Sequence, residues 1–196
     1  NFGFPKNENN CITGKVSIND VDLYLMDNRS FRIPPRTEGV LPQMLGKEQI
    51  QWLIEDLKTS KASFKLIVIG SQVLSSVNDF ENYANYKEER DYLLELISKN
   101  NLKNIVFLTG DRHFAELSEV KLNNNLRVLD ITASPLTSKP YSNAKEINVN
   151  RVEGTFVGEQ NFAQLSFTGN AKERALNISL INKNGKTCWK KSYVIE

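Results

Sequence analysis

A chain of 196 residues with 40% hydrophobic and 24% charged residues has the length for one substantial core and the composition of an ordinary globular domain. Its formal net charge of +2 is too even to supply the concentrated basic face of a nucleic-acid binder, so no nucleic-acid partner is expected. The longest apolar runs, over 66–70 and 105–108, are strand-sized, which excludes a membrane-spanning helix.

No signal peptide is visible and the chain opens on Asn1 rather than Met, so a preceding segment is expected. The two cysteines, Cys11 and Cys188, have no C-x-x-C spacing and do not cluster with the single histidine, which excludes a cysteine-based zinc site. A disulfide between them stays open, because spacing alone does not supply the required Cα geometry.

Residues 1–19, rich in Asn, Gly and Lys, read as a loop. Val21, Leu23 and Leu25 then alternate with polar or amphipathic neighbours, which predicts a strand over 20–27 closing on Asp27. Residues 28–45 carry Arg29, Arg32, Arg36 and three prolines and predict a long surface loop. Ile50, Leu53, Ile54 and Leu57 fall at i, i+3, i+4 and i+7, which predicts a helix over 47–59 with one apolar stripe. The run FKLIVIG predicts a buried strand over 64–70. A loop over 71–85, a helix over 87–100 with Leu93, Leu94 and Ile97 on one face, and a buried strand over 104–110 follow. Another strand is expected over 126–132, then a polar, irregular excursion over 133–158. Strands over 162–167, 175–181 and 189–195 close the chain, the last two joined by a turn at Asn184-Gly185. This order gives an α/β layered domain.

Three strand ends carry chemistry. After Gly110 come Asp111 and His113, an oxygen and a nitrogen donor at i, i+2 that can share one metal. The alternative is a lone histidine making ordinary hydrogen bonds. After Asp27 come Arg29 and Arg32, whose guanidinium forks suit phosphate oxygens; the alternative is a solvated basic loop. After Gly70 come Ser71 and Gln72, where small residues let backbone approach a ligand closely. No G-x-S-x-G elbow surrounds Ser71, so it does not read as a nucleophile. Residues 81–90 (ENYANYKEER) read locally as a helix N-terminus with favourably placed acids.

Taken in order, these segments resemble the PhoD-like alkaline phosphatase and phosphodiesterase family. The matching pieces are Asp27-Asn28-Arg29-Ser30-Phe31-Arg32, Gln49-Ile50-Gln51-Trp52-Leu53, Ser71-Gln72-Val73-Leu74, residues 83–90 and the Gly110-Asp111-Arg112-His113 segment running on to Glu116-Leu117. Residues 132–137 and 150–152 and the C-terminal hairpin extend the likeness over nearly the whole chain. The resemblance implies an α/β fold of calcineurin-like layering, helices flanking β-sheets, and metal-dependent hydrolysis of phosphate mono- or diesters at a binuclear centre of divalent or mixed metal ions. It implies Asp111 and His113 as metal ligands, Arg29 and Arg32 as catalytic phosphate contacts, and Asp27, Ser71 and Gln72 as substrate-binding residues. It also implies export to the periplasm or cell surface, or secretion. The family's acidic N-terminal ligand motif has no counterpart before Asp27. Residues 1–196 therefore read as the C-terminal part of a metallophosphoesterase catalytic domain, supplying half of its active site with the N-terminal half as partner. The competing expectation is a noncatalytic domain that binds a phosphorylated ligand or a partner chain.

Overall fold

The runs expected as strands over 20–27, 64–70, 104–110 and 126–132 lie side by side and parallel in the computed structural model, which describes residues 12–142 and 145–195. They are β2 (Val21–Leu25), β3 (Phe64–Val68), β4 (Ile105–Thr109) and β6 (Arg127–Thr132). Two antiparallel strands flank them, β1 (Gly14–Ile18) outside β2 and β5 (Glu116–Lys121) outside β6, giving the order β1-β2-β3-β4-β6-β5. Both flanking strands fall where the sequence predicted none. β1 forms a hairpin with β2 through Asn19 in the left-handed region (φ 54), a backbone that Asn tolerates. β5 is covered on its open side by the excursion, with Glu119 N donating to Asn150 O and Val152 N to Leu117 O. Covering an edge in this way removes a ladder of free backbone groups.

Helix α1 (Lys47–Thr59) links β2 to β3, and α2 (Lys87–Lys99) links β3 to β4. The apolar stripe of α1, Ile50, Leu53, Ile54 and Leu57, is buried with Tyr24, Met26, Ile67, Ile69 and Phe107 of the sheet and Leu93 and Ile97 of α2. Both helices therefore cover one face. Truncating a stripe residue such as Leu53 to Ala would cost about 2–5 kcal/mol. A single 3-10 turn, Tyr83–Tyr86, leads into α2. The Glu89 carboxylate on α2 accepts from the backbone N–H groups of Met44 (2.6 Å), Leu45 (3.2 Å) and Gly46 (2.7 Å), fixing the end of the long loop just before α1.

The opposite face packs against a three-stranded antiparallel sheet, β7 (Asn161–Thr168), β8 (Ala175–Asn182) and β9 (Thr187–Val194). Strand β8 alternates strictly, so Leu176, Ile178 and Leu180 meet Leu66, Val106, Leu129 and Ile131 of the larger sheet. That is the period of two expected of a strand with one buried face. The result is a helix layer, a six-stranded mixed sheet and a three-stranded sheet. Among the described residues, α-helices cover one outer face only, and the three-stranded sheet turns Gln164, Ser166 and Ser192 outward. Cys11 lies outside the described residues, so the candidate pairing with Cys188 does too.

Strand register sets the functional rim. Leu25 pairs with Val68, Val68 with Leu108, and Leu108 with Ile131. Two residues further on, the chain leaves the sheet at Asp27, Gly70, Gly110 and Ala133, all on one carboxyl edge. At Gly70 a Cβ would lie 3.0 Å from the side chain of Asn28. The first two strand ends thus approach closely there, and a larger residue would need the Asn28 side chain to shift.

Candidate active site

Asp111 and His113 both adopt the left-handed backbone (φ 67 and 58) on either side of Arg112. Asp and His are among the few side chains enriched there. The turn puts Asp111 and His113 on the surface and Arg112 inside. The Arg112 guanidinium lies between the rings of Phe80 (5.0 Å) and Phe114 (5.3 Å) and pairs with the buried Glu146 carboxylate, while Nη1 donates to Asp79 O at 3.3 Å. Buried charge needs such pairing to be tolerated.

His113 is held by the excursion on three sides. Its N–H donates to Ser134 Oγ (3.0 Å), its carbonyl accepts from Tyr141 N (2.7 Å), and its Nδ1 lies 2.8 Å from Lys139 O. A carbonyl only accepts, so Nδ1 carries the proton and Nε2 of the neutral ring keeps its lone pair. A backbone carbonyl on one ring nitrogen is the usual way a histidine's other nitrogen is aimed at a metal or a proton.

Asp111 and His113 line a cavity of about 410 Å³ together with Phe80, Glu81, Arg112, Tyr141 and Glu146. Glu81 connects this cavity to the arginines after β2. Its carboxylate receives Arg29 Nη2 at 2.7 Å and Arg32 Nη1 at 2.8 Å. Arg32 first, and Arg29 after it, hold the Glu81 carboxyl below its usual range against the opposing effect of burial. Arg32 also donates from Nε to Tyr86 Oη at 2.7 Å. The two arginines differ in exposure: the Arg32 side chain is 18% exposed and that of Arg29 is 65%. Arg29 is thus the one with a face to solvent.

Asp27 sits at the rim as expected, but its carboxylate is already taken up. It accepts from Ile12 N (3.1 Å), Arg29 N (3.0 Å), Ser30 N (3.0 Å) and Ser30 Oγ (2.6 Å). Four donors fill the acceptor capacity of an ionised carboxylate. Burial opposes its charge, yet these hydrogen bonds prevail and bring Asp27 down to about 2. Gln49 on α1 fixes the same residue through its backbone, accepting from Asp27 N at 2.7 Å and donating to Asp27 O at 2.8 Å. Asp27 thereby shapes the turn that carries Arg29.

Ser71 and Gln72 are 4% and 1% exposed and lie under the rim. Gln72 Nε2 donates to Glu116 Oε1 (2.8 Å) and Thr132 Oγ1 (2.9 Å). Asn28 Nδ2 donates to Ser71 Oγ at 3.3 Å. They belong to a buried polar layer that sequence reasoning did not anticipate. Its centre is Asp130, which accepts from Val73 N (2.7 Å), Leu74 N (2.8 Å) and Thr109 Oγ1 (2.7 Å). Burial, with Glu116 adding to it, pushes the Asp130 carboxyl up to about 6 despite those donors. Glu116 in turn binds Asn148 and Arg151. The layer ties the loop after β3 to the strands beneath it.

Asp111 and His113 are donors of the right chemistry for a divalent cation. Among the described residues, however, no group of three or more His, Cys, Asp or Glu side chains is placed to hold one. A catalytic zinc-type site uses three protein ligands and an open position. The described residues therefore do not by themselves complete such a site. No helix is long and apolar enough to cross a membrane.

A family model described as PhoD-like phosphatase matches residues 7–187. Alkaline phosphatase D of Bacillus subtilis (strain 168) is 30% identical over 108 residues, which is 49% of this chain and 18% of that enzyme. A solved structure described as "Structure of PhoD" superposes with a TM-score of 0.69 at 16% identity, covering 97% of this chain and 43% of its own. At that identity the superposition shows the fold. The chain spans less than half the length of either.

Proposed function

We propose, on the premise that this chain belongs to the PhoD-like phosphatase family, that the carboxyl rim of its sheet is one wall of a phosphoester hydrolase active site. The observation that carries the reading is His113, whose Nδ1 is fixed on Lys139 O, whose remaining nitrogen has no hydrogen-bond partner among the described residues, and which shares a cavity with Asp111. In this reading Asp111 and His113 contribute an oxygen and a nitrogen donor to a metal centre, and the other donors come from outside the described residues. Arg29 offers its guanidinium to the equatorial phosphoryl oxygens, where fixed positive charge stabilises the transition state. Arg32, held by Glu81 and Tyr86, positions Arg29 and its loop. Asp27, Ser71 and Gln72 act from beneath, setting the turns that carry the rim. The substrate is a phosphate mono- or diester. Calcineurin-like layering and export to the periplasm, cell surface or medium belong to the same reading and rest on the family.

The second reading is a noncatalytic domain that binds a phosphorylated ligand or a partner chain. It is favoured by the donor count, two where hydrolysis needs more. Metal-dependent hydrolysis of a chromogenic phosphodiester separates the two. We expect negligible turnover by the 196-residue chain, and turnover abolished by His113→Ala in any longer protein that carries it. Turnover in such a protein that survives His113→Ala would move the site elsewhere.

A further inference from the structure

We propose that Phe80 is the specificity platform of this site, an exposed ring that selects phosphoesters whose alcohol component presents a flat aromatic face. The proposal rests on the phosphoester reading above and names its substrate class.

Phe80 is 79% exposed, yet it is not a loose surface residue. Its backbone is left-handed (φ 55), a conformation that a bulky side chain adopts only where the surroundings impose it. Those surroundings are on both sides of it. Asn85 Nδ2 donates to Phe80 O at 2.7 Å, and Asp79 O accepts from Arg112. The next residue, Glu81, is clamped by Arg29 and Arg32. The ring itself rests on the Arg112 guanidinium, 5.0 Å from its centroid, and Arg112 is anchored in turn by Glu146 and Phe114. A side chain whose backbone is fixed in this way is presented to the cavity in a defined place.

The position of the ring gives it a use. Phe80 lines the same cavity as Asp111 and His113, and Tyr141, 44% exposed, lines it too. A phosphoester seated in this cavity therefore has its organic part within reach of two exposed aromatic rings. One face of Phe80 is taken by Arg112, which leaves the cavity side. Offset or edge contacts between rings gain more than the area they bury, and stacking is indifferent to the identity of the flat partner. A glycerol or alkyl group would gain only the area it buries there. The matching chemistry is an aryl or nucleoside phosphate.

The test is calorimetric titration of the 196-residue chain with phenyl phosphate, adenosine 5′-monophosphate, methyl phosphate and inorganic phosphate. We expect the ring-bearing esters to bind about 5- to 10-fold more tightly than methyl phosphate. Phe80→Ala should remove that advantage and leave inorganic phosphate unchanged, and Phe80→Trp should keep it. An advantage shown by adenosine monophosphate and not by phenyl phosphate supports the platform and assigns it to nucleosides. Equal binding of phenyl and methyl phosphate, or an advantage that survives Phe80→Ala, overturns the proposal while leaving the phosphoester reading intact. Failure of all four compounds to bind also overturns the proposal; the phosphoester reading is decided separately, by hydrolysis in a longer protein that carries His113.

Discussion

Arg32 Nη1 lies 2.8 Å from Glu81 Oε1, and the same carboxylate also holds Arg29. The residue expected to bind phosphate is thus paired with an acid on the wall of the cavity. A carboxylate that bridges two guanidinium groups occupies the position a phosphate would take between them. Glu81→Gln should raise the affinity for inorganic phosphate by several-fold, because the competing charge is gone. Its stability cost should be small, about 0.2–1 kcal/mol, as for other partly exposed ion pairs. Calorimetry with phosphate checks the first outcome and urea unfolding the second. Unchanged phosphate affinity would show that neither arginine meets the anion.

Asp27 should make the fold acid-sensitive. Its carboxyl lies at about 2, below the ordinary 3.8, so the folded state favours the charged form. That stabilisation is complete above about pH 4 and is lost as pH falls toward 2. A shift of this size corresponds to about 2–3 kcal/mol. Asp27→Asn should be less stable than the parent near pH 7, and the gap should close as the pH is lowered to 2. Urea midpoints measured across that range would reveal it.

Asp130 should have the opposite sign. Burial raises its carboxyl to about 6, so the folded state favours the protonated form. Its favourable contribution is complete below about pH 4 and is lost as pH rises through 6. Relative to the parent, Asp130→Asn should therefore gain stability between pH 4 and 6 and stay level above. A relative loss over that interval would contradict the buried placement.

Arg112→Ala should be strongly destabilising, by about 3–5 kcal/mol, because it leaves the buried Glu146 carboxylate without its partner. It also takes the support from under Phe80. The double variant Arg112→Met with Glu146→Gln should recover much of the stability. Thermal unfolding of the three proteins compares them directly.

Much of this was legible from local pattern. The stripe of α1, the buried strands and the hairpin at Asn184-Gly185 needed only periodicity and turn chemistry. β1 and β5 escaped because edge strands lack a clean apolar face. The inward positions of β5 include Glu116 and Ser118, which serve the polar layer. Strand ends at Asp27, Gly70 and Gly110 did converge on one rim, and Asp111 and His113 share one cavity there. What the sequence hid was pairing at a distance. Arg29 meets Glu81 across 52 positions and Arg112 meets Glu146 across 34, and no local pattern links such partners. Asp130 did leave a trace, as an acid inside an apolar strand run, which is unusual enough to signal a buried partner.

The central claim is that His113 presents an unprotonated Nε2 at a phosphoester site. His113 is the only histidine in the chain, so imidazole nitrogen NMR reports on it without assignment. We predict the Nδ1–H tautomer in the free protein and a large shift of the Nε2 resonance on addition of Zn²⁺. A further change on adding methyl phosphate should be absent in Arg29→Ala. A protonated Nε2 in the neutral ring, or an Nε2 resonance indifferent to both metal and phosphate, would contradict the account.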